Sequence, residues 1–200
     1  DRITTGLGSD IIIGGIDADT IVANFGETES AKDGDNIIIG DSGLIDWVSI
    51  ERDAVAIGGD HNPEDIDRIW SKDENHGGSD TITTGDGNDI IIAGEDGELV
   101  NEVNISIPAN QARVAVNGDI SQTSDGDIVL AGQGNNIVIG DNAYITAANA
   151  DGEQYEGLPI TLGLVKSGNS LIGGSDRITT GLGSDIIIGG IDADVIVANL

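Results

Sequence analysis

Residues 1–25 read DRITTGLGSDIIIGGIDADTIVANF, and residues 176–200 read DRITTGLGSDIIIGGIDADVIVANL. Only Thr20/Val195 and Phe25/Leu200 differ. A looser copy opens at Asp80 (DTITTGDGNDIIIAGEDGE), and the GGSD of 77–80 recurs at 173–176. DGDNIIIGDSGLI at 33–45 matches GQGNNIVIGDNAYI at 132–145. The units therefore run 1–79 and 80–175, and a third begins at 176–200, as in a window cut from a longer tandem array. A finer period lies inside each unit. Asp1, Asp10 and Asp19 are evenly spaced, as are Asp80 and Asp89, Asp127 and Asn136, and Asp176, Asp185 and Asp194. Two places after each stands an apolar residue: Ile3, Ile12, Ile21, Ile82, Ile91, Val129, Val138, Ile178, Ile187 or Ile196. A glycine-rich turn of about six residues followed by a three-residue strand, its middle side chain inward, gives one face of a parallel solenoid. Two such rows make a rung of about 18 residues, and rungs stack at the ~4.8 Å strand spacing. The expected fold is all-β, a parallel β-roll over 1–45, 77–98, 123–145 and 173–200.

Composition narrows the chemistry. Thirty-six acidic residues against 8 basic ones give a formal charge of −28, which repels phosphate and excludes a nucleic-acid partner. With no Cys and only His61 and His76, disulfide frameworks, thiol catalysis and structural zinc have no support. No apolar run approaches the ~20 residues of a membrane-spanning helix, and the quoted opening does not read as a signal peptide. The 26 Asp outnumber the 10 Glu, and 31 residues are Gly. That bias fits turns, where Asp and Gly tolerate left-handed backbone.

The nine-residue pattern resembles the G-G-x-G-x-D-x-U-x nonapeptide of RTX (repeats-in-toxin) proteins. The resemblance implies a calcium-binding parallel β-roll, exported to calcium-rich surroundings. Asp17 and Asp192 stand in place of the second glycine, and Asn36 and Asn136 in place of the aspartate. Between blocks, residues 99–120 alternate apolar and polar on both sides of PANQ, which predicts an inserted hairpin. Residues 46–76 and 146–172 are long inter-block segments. Asn62-Pro63-Glu64-Asp65 has the signature of a helix start, whereas aligning Trp70-Ser71-Lys72 with Val165-Lys166-Ser167 predicts a returning strand. Both readings stand open at this level.

Rung arithmetic decides which carboxylates share an ion. It stacks Asp1 over Asp19, Asp176 over Asp194 and, where the rung closes before the insertion, Asp80 over Glu98. Carboxylates about 5 Å apart repel by roughly 3 kcal/mol at an effective dielectric of 20. A divalent cation reverses that sign, and calcium accepts backbone carbonyls beside carboxylates. Asp1, Asp19, Asp80, Asp176 and Asp194 are the leading candidate ligands. Asp10, Asp89, Asp127 and Asp185 follow, because Thr28, Ser71 and Ser167 are the 18-residue neighbours of Asp10, Asp89 and Asp185. Asn36 and Asn136 are expected to stack without metal, with Asp41 and Asp141 following in the next turn. The outward pairs Ile11/Ile13, Ile37/Ile39, Ile90/Ile92, Ile137/Ile139 and Ile186/Ile188 must be covered, by the inserted segments or by a neighbouring molecule. No nucleophile elbow, zinc-protease motif or phosphate loop occurs, so no catalysis is expected. The functional expectation is a structural segment of a secreted, calcium-stabilised fibre, surface layer or adhesin stalk. Its partners would be further copies of the repeat, with polysaccharide as another candidate. The competing expectation is a secretion or carbohydrate-binding module attached to an enzyme elsewhere in the chain.

Overall fold

The computed structural model describes residues 1–25, 34–52, 59, 61–95, 126–150, 152–168 and 173–199. Short strands follow the Asp-bounded apolar triplets, since Gly and Asp turns permit only three residues before each reversal. β1 (Arg2–Thr4) and β2 (Ile11–Ile13) form rung one, and β3 (Thr20–Val22) with β4 (Ile37–Ile39) forms rung two. A side excursion then carries β5 (Gly43–Asp46), a single helical turn α1 (Ser49–Arg52) and β6 (Arg68–Ser71). Rung three is β7 (Thr81–Thr83) and β8 (Ile90–Ile92); rung four is β9 (Ile128–Leu130) and β10 (Ile137–Ile139). A second excursion holds β11 (Ala143–Ala147) and β12 (Leu162–Ser167). Rung five is β13 (Arg177–Thr179) and β14 (Ile186–Ile188), and β15 (Val195–Val197) opens rung six.

Two parallel sheets face each other across the roll. One runs β1-β3-β7-β9-β13-β15 and the other β2-β4-β8-β10-β14. Every pairing is in register through the central residue, as in Ile21↔Ile82 and Ile38↔Ile91. Those central side chains meet between the sheets: Ile12, Ile21, Ile38, Ile82, Ile91, Val129, Val138 and Ile178 form one continuous core. The expected inward positions are observed at these residues and, partly buried, at Ile3 and Ile187, whereas Ile196 on the end strand β15 is 44% exposed.

A third, antiparallel sheet of order β5-β6-β11-β12 is built wholly from the two excursions. It lies over the second parallel sheet and makes a second core. Ile37, Ile39, Ile90, Ile92, Ile137 and Ile139 are buried there against Ile66, Ile69, Ile145, Leu158 and Ile160. The excursions therefore cover the outward isoleucines at rungs two to four. At the outer rungs Ile11, Ile13 and Ile186 remain 51%, 42% and 39% exposed.

Three expectations need correction. The roll leaves its course after Asp41 and Asp141, not at 45 and 145, because Leu44-Ile45 and Tyr144-Ile145 alternate faces in the antiparallel sheet. Residues 62–65 form a turn in which Asn62 Oδ1 accepts the Glu64 N–H at 3.1 Å, so the capping contact exists without a helix. The returning strand does form, but Trp70 is the structural counterpart of Lys166 rather than Val165, since both oppose Tyr144. The expected hairpin at 99–120 lies outside the described residues.

Candidate calcium sites

Each rung has two turns, and each edge of the roll carries a ladder of side chains. On the edge reached after the second sheet, the rungs contribute Asp19, Asp80, Asp127, Asp176 and Asp194. The backbone N–H of Asp19 donates to Oδ1 of Asp80 (2.7 Å), that of Asp80 to Asp127 (2.6 Å), that of Asp127 to Asp176 (2.9 Å) and that of Asp176 to Asp194 (3.0 Å). At the head of the ladder the Asp1 amino group donates to Oδ1 of Asp19. The opposite edge carries Asp10, Asn36, Asp89, Asn136 and Asp185, linked in the same direction. Here each asparagine adds a side-chain N–H to the next aspartate: Asn36 to Asp89 at 3.0 Å and Asn136 to Asp185 at 3.2 Å.

The two ladders differ electrostatically. In the second, a neutral amide separates every pair of carboxylates. In the first, carboxylates follow one another without interruption, and each adjacent pair repels by roughly 3 kcal/mol at an effective dielectric of 20. Burial adds to the cost, because Asp19, Asp80, Asp127 and Asp176 are at most 3% exposed. Burial is the main reason that the Asp80 carboxyl is pushed up to about 7; the Asp19 N–H works against the rise and the Asp19 charge adds to it.

The same edge offers room and acceptors for a cation. Oδ2 of Asp19 and Oδ2 of Asp80 are buried and accept no hydrogen bond among the described residues. Each sits against a glycine of the preceding rung. A Cβ on Gly14 would collide with Asp19 Oδ2 and the Gly40 carbonyl, and one on Gly40 with Asp80 Oδ2 and the Ala93 carbonyl. Gly140 stands likewise beside Asp176 Oδ2 and the Gly189 carbonyl. Carboxylate and carbonyl oxygens thus converge where side chains are missing, a donor set suited to a hard cation that takes six to eight oxygens. Among the described residues no three His, Cys, Asp or Glu side chains gather at one point. The ladder supplies one carboxylate per rung, so backbone carbonyl oxygens, such as those of Gly40, Ala93 and Gly189, and water would complete the coordination.

Asp1, Asp19, Asp80, Asp176 and Asp194 therefore share one edge as expected, and Asp127 joins them. Asp80 stacks on Asp127 instead of Glu98, because the intervening insertion leaves from this turn; Glu98 lies outside the described residues. Asp10, Asp89 and Asp185 are brought together on the other edge, where their neighbours are Asn36 and Asn136 rather than Thr28, Ser71 and Ser167. Asn36 and Asn136 consequently belong to the same ladder as those aspartates.

Four copies of the RTX calcium-binding nonapeptide repeat match the chain, at residues 1–27, 76–97, 122–143 and 172–200, half of its length. The chain belongs to the RTX family. No curated protein and no solved structure matches it. RTX nonapeptides are calcium-binding repeats of secreted proteins, and the four matched copies supply every strand of the two parallel sheets except β4, which lies between the first two copies. The excursions that build the third sheet lie almost wholly between the RTX copies.

Asp41 and Asp141 are the residues whose role the repeat pattern leaves out. They close the excursions. Oδ1 of Asp41 accepts the N–H of Gly78, where the first excursion returns, and Oδ2 accepts that of Glu95 in the next rung. Asp141 does the same with Gly174 and Ile191. The signal was present in the paired Gly-Asp that ends IIIGD and IVIGD. Burial drives Asp141 up to about 7, against the Ile191 and Gly174 N–H groups and helped by Asp194 and Asp192. Glu95 rises to about 8, mainly through burial and then the charge of Asp141, although Asn142 donates to it at 3.3 Å.

Proposed function

We propose that this chain is a structural segment of a long secreted protein whose RTX rolls are stapled by calcium along the Asp19–Asp194 edge, in a fibre, surface layer or adhesin stalk. The observation that carries the reading is the junction between repeats. β13 pairs with β15 through Arg177↔Val195 and Ile178↔Ile196, the register by which β1 pairs with β3 through Arg2↔Thr20 and Ile3↔Ile21. On its other side β13 pairs with β9, so one repeat passes into the next with no break in the sheet. Asp19, Asp80, Asp127, Asp176 and Asp194 act as ligands, their charge neutralised by the ions they hold. Catalysis plays no part in this reading. His61 is exposed on the rim of an open cleft of about 1070 Å³ that also takes in Asn62, Asp65 and Thr161.

Circular dichroism and light scattering with calcium and with chelator test the proposal. Calcium should raise the melting temperature and produce ordered assemblies at millimolar concentration. An unchanged melting temperature after chelation would reduce the aspartates to turn formers. Calcium-stabilised monomers that never assemble would remove the layer and fibre and leave the single-chain stalk. A second reading, a carbohydrate-binding module, is favoured by the outer face of the third sheet. There Trp70 and Tyr144 meet edge to face at 5.6 Å, with the Lys166 ammonium 4.9 Å from the tyrosine ring.

A further inference from the structure

Each repeat contributes four strands to each parallel sheet of the roll, namely β1, β3, β7 and β9 to one and β2, β4, β8 and β10 to the other. It also contributes four to the third sheet. Strand spacing is nearly the same in parallel and antiparallel sheets, so the third sheet advances along the axis in step with the roll. β5 leaves from rung two, and β12, three strands further on, stands level with rung five. A following repeat would send out its own β5 from rung six, one strand spacing beyond β12.

Direction and chemistry agree with that position. The third sheet alternates strictly, with β5 antiparallel to β6, β6 to β11 and β11 to β12. A following β5 would run antiparallel to β12 and keep the alternation. The existing rows are chemically uniform across the sheet. One inward row is aliphatic, Ile45–Ile69–Ile145–Val165, and its neighbour is small, Gly43–Ser71–Ala143–Ser167. Extending the register sets the next Ile45 beside Val165 and the next Gly43 beside Ser167, so both rows continue in kind. Exposure points the same way. In the interior strands Ile69 and Ile145 are fully buried, whereas Ile45 in β5 and Val165 in β12 are only half-buried, and Leu164 is 45% exposed. β5 and β12 are the two ends of the sheet, each with one side paired to no described strand. An unpaired edge of this length is a template for another strand.

We propose that β12 receives β5 of the following repeat, so that the antiparallel sheet, like the roll, is continuous through the array. The partner is a second copy of segment 43–46, in antiparallel register with Lys166 opposite the incoming Leu44. The proposal rests on the tandem-array reading above. It adds that the excursions are coupling strands and that Ile186 and Ile188 are covered jointly by two repeats. Ile188 already packs against the second core, while Ile186 beside it is open.

The test uses the natural absence of cysteine. The 200-residue chain is followed directly by a second copy of residues 26–200, which continues the repeat from Leu200. Lys166→Cys in the first copy is paired with Leu44→Cys in the second. Residues directly opposite in an antiparallel pair bring their Cα atoms within disulfide range. The expected result is an oxidised species of shifted electrophoretic mobility that reverts on reduction. A second pair, Val195→Cys in the first copy with Thr81→Cys in the second, reports roll continuity, because the equivalent Thr20 opposes Thr81 here. Tyr144→Cys with Lys166→Cys in one copy reports that the third sheet has formed. If the roll pair and the single-copy pair close while the Lys166/Leu44 pair stays reduced, the continuous third sheet is refuted and the array reading survives. If the roll pair also stays open, both fall.

Discussion

The buried second core makes a prediction that a simple two-sheet roll does not. Ile90, Ile91 and Ile11 all belong to triplets of the same sheet, yet the structure gives them three environments. Ile91 is fully buried between the parallel sheets, Ile90 is fully buried beneath the third sheet, and Ile11 is 51% exposed. Truncation to Ala removes three carbons, about 2.4 kcal/mol of transfer free energy when the site is fully buried. The cavity left behind raises the loss to about 3–4 kcal/mol. Ile11→Ala loses roughly half the transfer value and leaves no cavity, about 1 kcal/mol. For a chain of this size each kcal/mol moves the melting temperature by about 2–4 °C. Ile90→Ala and Ile91→Ala should therefore each fall by about 6–16 °C, and Ile11→Ala by about 4 °C at most. Thermal unfolding followed by circular dichroism at saturating calcium separates these ranges. If Ile90→Ala melted with Ile11→Ala while Ile91→Ala dropped fully, the third sheet would not cover the roll and the second core would be wrong.

Further expectations concern charge. Asp80, Asp141 and Glu95 have folded-state pKa values raised to about 7, 7 and 8, above their unfolded values, so the folded chain holds protons more tightly than the unfolded one. Their contribution to stability is fully present below about pH 4 and is lost as pH rises through about 7–8. Chelated protein should accordingly melt higher at pH 5.5 than at pH 8.5, and a flat or opposite profile would contradict the burial of these acids. Asn36→Asp and Asn136→Asp each replace an N–H donor by a second carboxylate and should cost about 1–3 kcal/mol without calcium, read as a lower melting temperature. Equal melting with wild type would mean that the alternation is not what relieves that edge. Arg68→Met takes from Asp46 its buried partner at 2.9 Å and leaves it the exposed Arg52 at 3.2 Å and the Val48 N–H; burial pushes that carboxyl up, but the Val48 N–H, Arg68 and Arg52 together hold it below its ordinary value. A loss of about 1.5–3 kcal/mol in denaturant titration is expected, and under about 1 kcal/mol would show that the Arg68 contact is not desolvated.

The roll was legible in the sequence because its period is local. Ile12 and Ile91 announce themselves by their distance from Asp10 and Asp89, and the strand-to-turn alternation needs nothing from outside each nonapeptide. Asp19 over Asp1 followed from the same arithmetic. Asp127 over Asp80 did not, because the insertion between them hides which residue comes next along the axis. The third sheet was illegible for a related reason. Pairing Trp70 with Tyr144 joins the two units of one repeat, and no local pattern records that the two excursions emerge from the same edge. The alignment slip at Trp70 shows the limit, since only the partner strand fixes which side chain faces the core. The triple-isoleucine strands did carry the requirement for a cover, though not its identity.

One geometric consequence follows from the rung count. Four rungs at ~4.8 Å give a repeat of 175 residues a rise of only about 19 Å along the axis. The same residues fully extended would span about 600 Å. Ten repeats would use about 1,750 residues to reach about 190 Å. Duplication in this architecture therefore lengthens the molecule slowly for the mass it adds, at a constant cross-section. A chain of such repeats is a rod three sheets abreast, and a long fibre made from it needs either very many repeats or the joining of rods end to end.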